Sequence, residues 1–255
     1  MELTVSGQRR RYMAATLGTE TRAFAICDGF GTVDGVRVEE AALRQLSSVL
    51  LQKSRGPRFA YQLQRPKTIT TMLIAAFSRI NTQLYLRSAS HDDYVTCGAS
   101  LTLILLAGER AYLAHLGNTA AYLSRGGYMI SLTKDDSCTF DVPVGRAVAV
   151  SAHPPILTRA LGSAPHVELS VCSFRVSPED MIVLSSKRLA GFEDRRTLSA
   201  WLQGAQPSDF GDRTMAVIPV TDPAVPNTFV PHRLPITMRQ LLAGAIFALG
   251  VLLIS

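Results

Sequence analysis

The middle of the chain contains two pairs of apolar segments, and each pair is joined by a short turn that contains glycine. The four segments are residues 101–107, 111–116, 120–124 and 128–132. The turns read Gly108-Glu109-Arg110 and Arg125-Gly126-Gly127. Strand-like runs joined by so few residues fold back on themselves, so each pair predicts an antiparallel hairpin. Two later apolar runs, 181–185 and 214–220, predict further buried strands.

Two helices are predicted ahead of these hairpins. The first begins after Glu39 and Glu40, whose charges suit a helix start, and the second follows Pro66. Apolar residues recur at helical spacing at positions 42, 46, 49 and 50, and again at 69, 73, 76, 77, 80 and 84. Because the strands cluster without a regular alternation of strand and helix, the sequence predicts an α+β fold with antiparallel sheets.

The end of the chain is apolar. Residues 241–254 are all apolar or glycine. A helix over this stretch would reach about 21 Å, short of the roughly 30 Å hydrocarbon core of a bilayer. A start near Ile236 lengthens the helix and places Arg239 at the membrane interface. We therefore expect a C-terminal apolar, membrane-spanning helix over 236–255, and a buried terminal core helix is the alternative.

A proline-rich segment precedes this tail. Prolines at positions 219, 223, 226, 231 and 235 exclude a continuing helix or a central strand. The expected organisation is a domain over 1–220, a linker over 221–235 and the tail over 236–255. Arg233 and Arg239 precede the apolar run and nothing basic follows it, which favours a membrane-anchored chain with its domain on the cytosolic side.

Composition excludes some functional classes. The four cysteines form no CxxC pair and the histidines are scattered, which excludes a zinc cluster and favours small buried thiols. The formal charge of +6 lies in several basic clusters. These clusters are candidates for contact with phosphorylated proteins or with an anionic membrane, and a solvated basic rim is the alternative. No nucleic-acid partner is expected. No apolar stretch follows Arg9 to Arg11, so no secretory leader is expected.

An acidic residue follows the first predicted strand. Residues 23–27 are strand-like and run into Asp28-Gly29-Phe30-Gly31. A carboxylate at such a turn can bind a hard cation, with carbonyl oxygens of the turn as further ligands. Aspartate and glycine are also common turn residues, so a purely structural turn is the alternative.

The order of several motifs along the chain resembles the metal-dependent protein phosphatase 2C family. The turn sequence AICDGFGTVDG is similar to the DGMGGHxxG signature of that family. Further resemblances follow in the expected order: CGASL to GTT(L/A), GERAYLAHLGNTAAYLSRGGYMISLTKDDS to GxxLxVANVGDSRAYLxRxGxxxxLTxDHS, TRALG to TRxLG, MIVLSSKRLAGFED to LLLCSDGLxDxxxD, and GDRTMAVI to DNxTxxxV. The resemblance covers about residues 7–220.

This resemblance implies a four-layer αββα sandwich of two antiparallel sheets flanked by helices. It also implies a binuclear Mg²⁺ or Mn²⁺ site, at which metal-bound water attacks a phosphoserine or phosphothreonine while an arginine holds the phosphate. Such chemistry needs several carboxylates, because a divalent pair requires hard oxygen ligands.

The resemblance assigns each site position to a residue of this chain. The phosphate-binding arginine is Arg9, and the metal positions retained are Asp28, Gly29 and Asp212. The family acids are replaced at Ala14, Asn118 and Lys187. Lys187 is the main departure, because an ammonium in place of a carboxylate opposes a divalent metal and can itself pair with Asp28 and Asp212. In the alternative, Lys187 points to solvent and two acids hold one weak metal.

These replacements favour a membrane-tethered pseudophosphatase that is not catalytic. Its expected role is to bind a phosphorylated protein, or to regulate a kinase or an active phosphatase, with no cofactor or only weakly bound Mg²⁺ or Mn²⁺. Arg9 is its candidate for phosphate binding, through charge-assisted hydrogen bonds. The alternative is a weakly active Mn²⁺- or Mg²⁺-dependent Ser/Thr protein phosphatase. A third hypothesis is a membrane scaffold that only assembles partners.

Overall fold

The computed structural model describes residues 11–18, 21–56, 59–63, 65–89, 97–126, 128–138, 143–144, 147–148, 156–189 and 214–220. Its strands are β1 (Tyr12–Leu17), β2 (Thr21–Phe30), β3 (Thr32–Val33), β4 (Val36–Arg37), β5 (Gly98–Ala107), β6 (Arg110–Leu116), β7 (Ala120–Arg125), β8 (Tyr128–Ser131), β9 (Ser137–Cys138), β10 (Pro143–Val144), β11 (Ala147–Val148), β12 (Ile156–Leu157), β13 (Ser170–Arg175), β14 (Met181–Ser185) and β15 (Met215–Pro219). Its helices are α1 (Val38–Ser54), α2 (Phe59–Leu63) and α3 (Pro66–Ala89).

The first large sheet has five antiparallel strands in the order β1-β2-β5-β6-β13. Its centre is the pair of β2 and β5, which runs from Thr21 opposite Ala107 to Phe30 opposite Gly98. Both strands are rich in branched and long apolar residues and are buried along most of their length. This pattern is typical of a central strand that is covered on both faces.

The second sheet has four antiparallel strands in the order β15-β14-β7-β8. Strand β14 lies at its centre, with Val183 opposite Tyr122 of β7 on one side and opposite Val217 of β15 on the other. The edge strand β8 exposes Tyr128 and Ile130 to solvent.

The two sheets pack face to face around a shared apolar core. Residues from both sheets contribute to it: Phe24, Ile26, Ile104, Leu106, Ala111, Leu113, Ala121, Leu123, Val176, Ile182, Leu184, Ala216, Ile218 and Val220. Side chains alternate along a strand, so the neighbouring residues of β2 and β5 face the opposite side of the first sheet. That opposite side is covered by helices.

Helices α1 and α3 form the layer outside the first sheet. Leu46 and Leu50 of α1 and Leu73 and Phe77 of α3 are buried against Leu103 and its neighbours. The spacing of three and four residues places these apolar side chains along one stripe of each helix. The described part of the molecule therefore has three layers, which are helices, sheet and sheet.

These elements confirm the α+β class, the two antiparallel hairpins and the two helices. The predicted strands differ from the observed ones at their ends, as where β2 continues past Cys27 to Phe30, and β13 of the first sheet lies outside the predicted strands. The predicted fourth layer, the linker over 221–235 and the apolar tail over 236–255 fall on residues outside the described segments. Within the described segments, no helix is both long enough and apolar enough to cross a bilayer.

Candidate functional site

Asp28 lies near the end of β2, where the shared core between the sheets ends. Phe24 and Ile26 belong to the core between the sheets, and the alternation of the strand places Asp28 on the same face. Asp28 is opposite Ser100 of β5. Its side chain is 19% exposed, so the carboxylate is close to solvent but largely surrounded by protein.

Arg11 is the nearest described counter-ion of Asp28. Its Nη1 lies 3.1 Å from Asp28 Oδ1, and its side chain is only 8% exposed. The Cys27 N–H donates to the Arg11 carbonyl at 2.7 Å, which extends the ladder of β1 and β2 to this residue. Burial raises the pKa of Asp28 above its ordinary value, and the positive charge of Arg11 opposes that rise. Arg11 thus supplies the charge that a buried carboxylate requires.

Gly29 allows helix α1 to approach β2 closely. A Cβ at this position would lie 2.5 Å from Val38 Cγ1 and 3.0 Å from the Gly98 carbonyl oxygen. The absence of a side chain therefore lets the first turn of α1 pack directly beside Asp28. The Val38 N–H donates to the Gly31 carbonyl at 3.3 Å and fixes this helix start to the glycine-containing turn.

Lys187 follows the central strand of the second sheet. The Ser185 hydroxyl donates to the Lys187 carbonyl at 2.6 Å, and the Ser186 N–H donates to the Thr214 carbonyl at 2.8 Å. These bonds fix the turn after β14, while the Lys187 side chain is exposed. Its charge lowers the pKa of Asp28. A cation therefore acts on Asp28 from the position at which the resemblance implies a carboxylate.

Asn118 is held by Ser100 at the same end of the sandwich. The Ser100 hydroxyl donates to Asn118 Oδ1 at 2.9 Å, and the Asn118 N–H lies 3.1 Å from Ser100 Oγ. The amide oxygen of Asn118 is thus engaged in a side-chain hydrogen bond. At this position the chain offers a neutral, already hydrogen-bonded group in place of a carboxylate.

A buried hydrogen-bonded chain lies behind Asn118. His115 Nε2 is 2.8 Å from the Lys134 carbonyl, which only accepts, so Nε2 carries the proton. His115 Nδ1 therefore accepts from the Thr102 hydroxyl at 2.8 Å, and Thr102 in turn accepts from Thr119 at 2.7 Å. Burial lowers the pKa of His115, which keeps the imidazole neutral and this chain of bonds intact.

Acidification is expected to destabilise the fold through His115. Its pKa in the folded state lies below its ordinary value of 6.5, so its contribution to stability is present above that value and is lost as the pH falls through the folded pKa. We expect a loss of about 1 kcal/mol in the free energy of unfolding between about pH 7.5 and 5.5, from denaturant titrations. The loss should be smaller in His115→Gln and unchanged in His166→Gln, which alters an exposed histidine. Equal losses in wild type and His115→Gln would contradict this assignment.

The structure brings Asp28, Gly29, Asn118 and Lys187 to one end of the sandwich. Ala14 does not join them. It lies opposite Phe24, four residues before Asp28 on β2, or roughly 13 Å away along the strand. The replaced family acid that the resemblance assigns to Ala14 therefore lies away from Asp28, and the residue of this segment beside Asp28 is Arg11. The predicted residues Arg9 and Asp212 lie outside the described segments.

Sequence reasoning missed Arg11 and Glu39. Arg11 was one of three adjacent arginines, and only the pairing of β1 with β2 singles it out. The sequence marks Glu39 only as a charge that suits a helix start, and its side chain is 1% exposed. The close packing of α1 against β2 at Gly29 buries the Glu39 side chain.

The described residues do not fit a binuclear Mg²⁺ or Mn²⁺ site. Within the described segments, no group of three or more His, Cys, Asp or Glu side chains is arranged to hold a metal ion. The Asp28 carboxylate is paired with Arg11, and Lys187 adds a second positive charge. Mg²⁺ requires several oxygen ligands with little competing cationic charge. The chemistry of this donor set favours an anion over a divalent cation.

Comparison with known proteins agrees with this architecture. Residues 15–139 match the family model described as Protein phosphatase 2C. Serine/threonine protein phosphatase PstP from Mycobacterium tuberculosis is 35% identical over 82 residues, which are 32% of this chain and 16% of that protein. The match therefore spans much less than two thirds of the length of that relative.

Solved phosphatase structures share the fold. The catalytic domain of PstP in complex with 2 manganese ions superimposes with a TM-score of 0.51 at 25% identity, over 80% of this chain and 82% of that chain. The serine/threonine phosphatase of S. agalactiae has a TM-score of 0.54 at 19% identity, over 72% of this chain and 76% of that chain. Together with the motifs and the sheet order, these matches show that residues 15–139 are similar to the protein phosphatase 2C family and that the chain shares the fold of these phosphatases.

Proposed function

We propose that this chain is a phosphoprotein-binding pseudophosphatase, which holds a phosphate group with cationic side chains in place of divalent metals. The observation that carries the proposal is the Arg11–Asp28 ion pair at 3.1 Å, with Lys187 acting on the same carboxylate. In a metal-dependent phosphatase, Asp28 would be free to bind a cation. Here its negative charge is already compensated by the protein.

The charge balance around Asp28 supports an anionic ligand. Arg11, Arg37 and Lys187 each lower the pKa of Asp28, whereas among the described carboxylates Glu39 raises it. Three cations against two carboxylates leave an excess of one positive charge in the described part of the site. Charge-assisted hydrogen bonds from arginine are the strongest contacts that a protein offers to a phosphate oxygen.

Binding of a fluorescein-labelled phosphothreonine peptide, measured by fluorescence anisotropy, tests this proposal. We expect binding that persists in EDTA and that weakens by roughly 10- to 100-fold in Arg11→Gln, because a charge-assisted hydrogen bond is lost. The matched control is Arg79→Gln, which removes an exposed arginine of α3 and should bind as wild type does. The unphosphorylated peptide should not bind. Loss of binding in EDTA, or equal binding of both peptides, would refute the proposal.

The second candidate is a weakly active metal-dependent Ser/Thr protein phosphatase. It is favoured by the retained Asp28-Gly29 turn and by relatives that are named phosphatases. Phosphate release from the same peptide at millimolar Mn²⁺ distinguishes the two candidates. Release that disappears in Asp28→Asn would establish the enzyme, and the absence of release would favour the binding module.

Membrane tethering remains part of the proposal. It rests on the uncharged run 241–254, which follows a proline-rich linker. We propose that this tail holds the domain at the cytosolic face of a membrane, where its partner is a phosphorylated protein or a kinase. Flotation of the full chain with phosphatidylcholine vesicles tests this, and a protein that stays at the bottom of the gradient would contradict it.

A further inference from the structure

Arg37 and Glu39 form an ion pair at the start of α1, beside the Asp28 turn. Arg37 Nε lies 2.5 Å from Glu39 Oε1. The two side chains differ in exposure, since Glu39 is 1% exposed and Arg37 is 38% exposed. A buried carboxylate therefore accepts from the Nε–H of an arginine whose side chain is partly exposed to solvent.

Glu39 is fixed by the close approach of α1 to β2. Its other oxygen, Oε2, lies 3.3 Å from the position that a Cβ of Gly29 would occupy. Within the described residues, this oxygen is buried and has no hydrogen-bond partner. A buried, half-satisfied carboxylate costs stability, so its position beneath an exposed arginine indicates a role other than stability.

Arg37 keeps most of its donors available. A guanidinium carries five N–H donors, and the bond to Glu39 uses the one on Nε. In the described part of the chain, no hydrogen bond involves Nη1 or Nη2 of Arg37. These terminal nitrogens form the fork that matches two oxygens of a phosphate group.

The location of Arg37 places this fork near Asp28. Arg37 is opposite Thr32 in the β3–β4 hairpin, which follows directly on the Asp28 turn. Glu39, its partner, contacts Gly29, the residue next to Asp28. The charge of Arg37 also lowers the pKa of Asp28, in the same direction as Arg11 does.

We propose that Arg37 is a second phosphate-binding arginine, oriented by the buried Glu39, and that with Arg11 it selects the dianion of a phosphate monoester. This inference rests on the proposed function. The two arginines have separate tasks, because Arg11 is buried against Asp28 whereas Arg37 is partly exposed and its terminal nitrogens make no hydrogen bond within the described residues. Glu39 acts through Arg37 and is a positioning residue.

The test compares phosphopeptide affinity in wild type, Arg37→Gln and Arg37→Lys by the same anisotropy assay. We expect Arg37→Gln to weaken binding by roughly tenfold or more, and Arg37→Lys to restore only part of it, because lysine lacks the planar fork. Arg87→Gln is the matched control. Arg87 is an exposed arginine paired with Asp34 of the same hairpin at 3.1 Å, and its loss should leave the affinity unchanged.

The pH profile separates a direct role from a structural one. The second pKa of a phosphothreonine is near 6, so selection of the dianion makes wild-type binding strengthen as the pH rises through about 6. Arg37→Gln should flatten this rise, and Glu39→Gln should flatten it in part while thermal unfolding confirms that both variants are folded. An unchanged profile and affinity in Arg37→Gln would overturn this inference alone. Absence of phosphopeptide binding in the wild type would overturn both this inference and the proposed function.

Discussion

Exchanging Lys187 for aspartate and Arg11 for glutamine is expected to give the site a measurable affinity for Mn²⁺. The wild type should show no binding in the micromolar range by calorimetric titration, because Arg11 and Lys187 are the two cations with the largest effect on Asp28. The double variant removes both and adds a carboxylate. In a partly solvated site, this change in charge should improve the free energy of Mn²⁺ binding by about 3 kcal/mol, which corresponds to roughly a 100-fold gain in affinity.

A matched control separates this local effect from a change in net charge. Lys53→Asp with Lys67→Gln alters the net charge equally, at exposed positions on α1 and α3. This variant should bind Mn²⁺ no better than wild type does. Micromolar binding by the wild type, or equal gains in both variants, would show that Arg11 and Lys187 do not oppose the metal. The second candidate function would then be preferred.

Replacing Gly117 by alanine is expected to destabilise the fold more than replacing Gly108 by alanine. Gly117 has a φ of +100°, and a Cβ there would lie 2.8 Å from Ser100 Cα and still closer to the Ser100 hydroxyl. Backbone strain and the clash with β5 together should lower the free energy of unfolding by about 3–5 kcal/mol. The denaturant midpoint, with an unchanged slope of the transition, measures this loss.

Gly108→Ala is the control for backbone strain without a clash. Gly108 has a φ of +55° in the β5–β6 turn, and nothing lies within 4 Å of its Cβ position. The Gly108→Ala substitution should lower the free energy of unfolding by only about 1 kcal/mol, which is the strain of a left-handed residue. Equal losses in both variants would show that the contact with Ser100 contributes nothing. The position of Asn118, which follows Gly117, would then need another explanation.

The main elements of the fold could be predicted because their signals are local. Gly108 and Gly126 mark turns between apolar runs, and the structure pairs β5 with β6 and β7 with β8 accordingly. Helix α3 begins at Pro66, as the sequence predicts, because proline suits a first helical turn. The pairing of β14 with β7 is not local, and no sequence pattern predicts which distant strands become neighbours in the second sheet.

The site was predictable only in part. The motif around Asp28 identified the carboxylate and Gly29, and the later motif MIVLSSKRLAGFED identified Lys187. On the opposite strand, the resemblance pointed to Ala14, whereas the β1–β2 register places Arg11 beside Asp28. A hairpin of unknown loop length leaves its register undetermined, and a shift of a few residues changes which side chain meets the carboxylate.

The sequence by itself determined the α+β class, the local hairpins and the resemblance to the protein phosphatase 2C family, because these depend on periodicity, turn residues and motifs along the chain. Tertiary structure decided the chemistry at Asp28. The register of β1 with β2 placed Arg11 beside Asp28, and the close approach of α1 to β2 at Gly29 buried Glu39 next to Arg37. The strength of such interactions depends on distance and burial, which arise only when separate segments pack together.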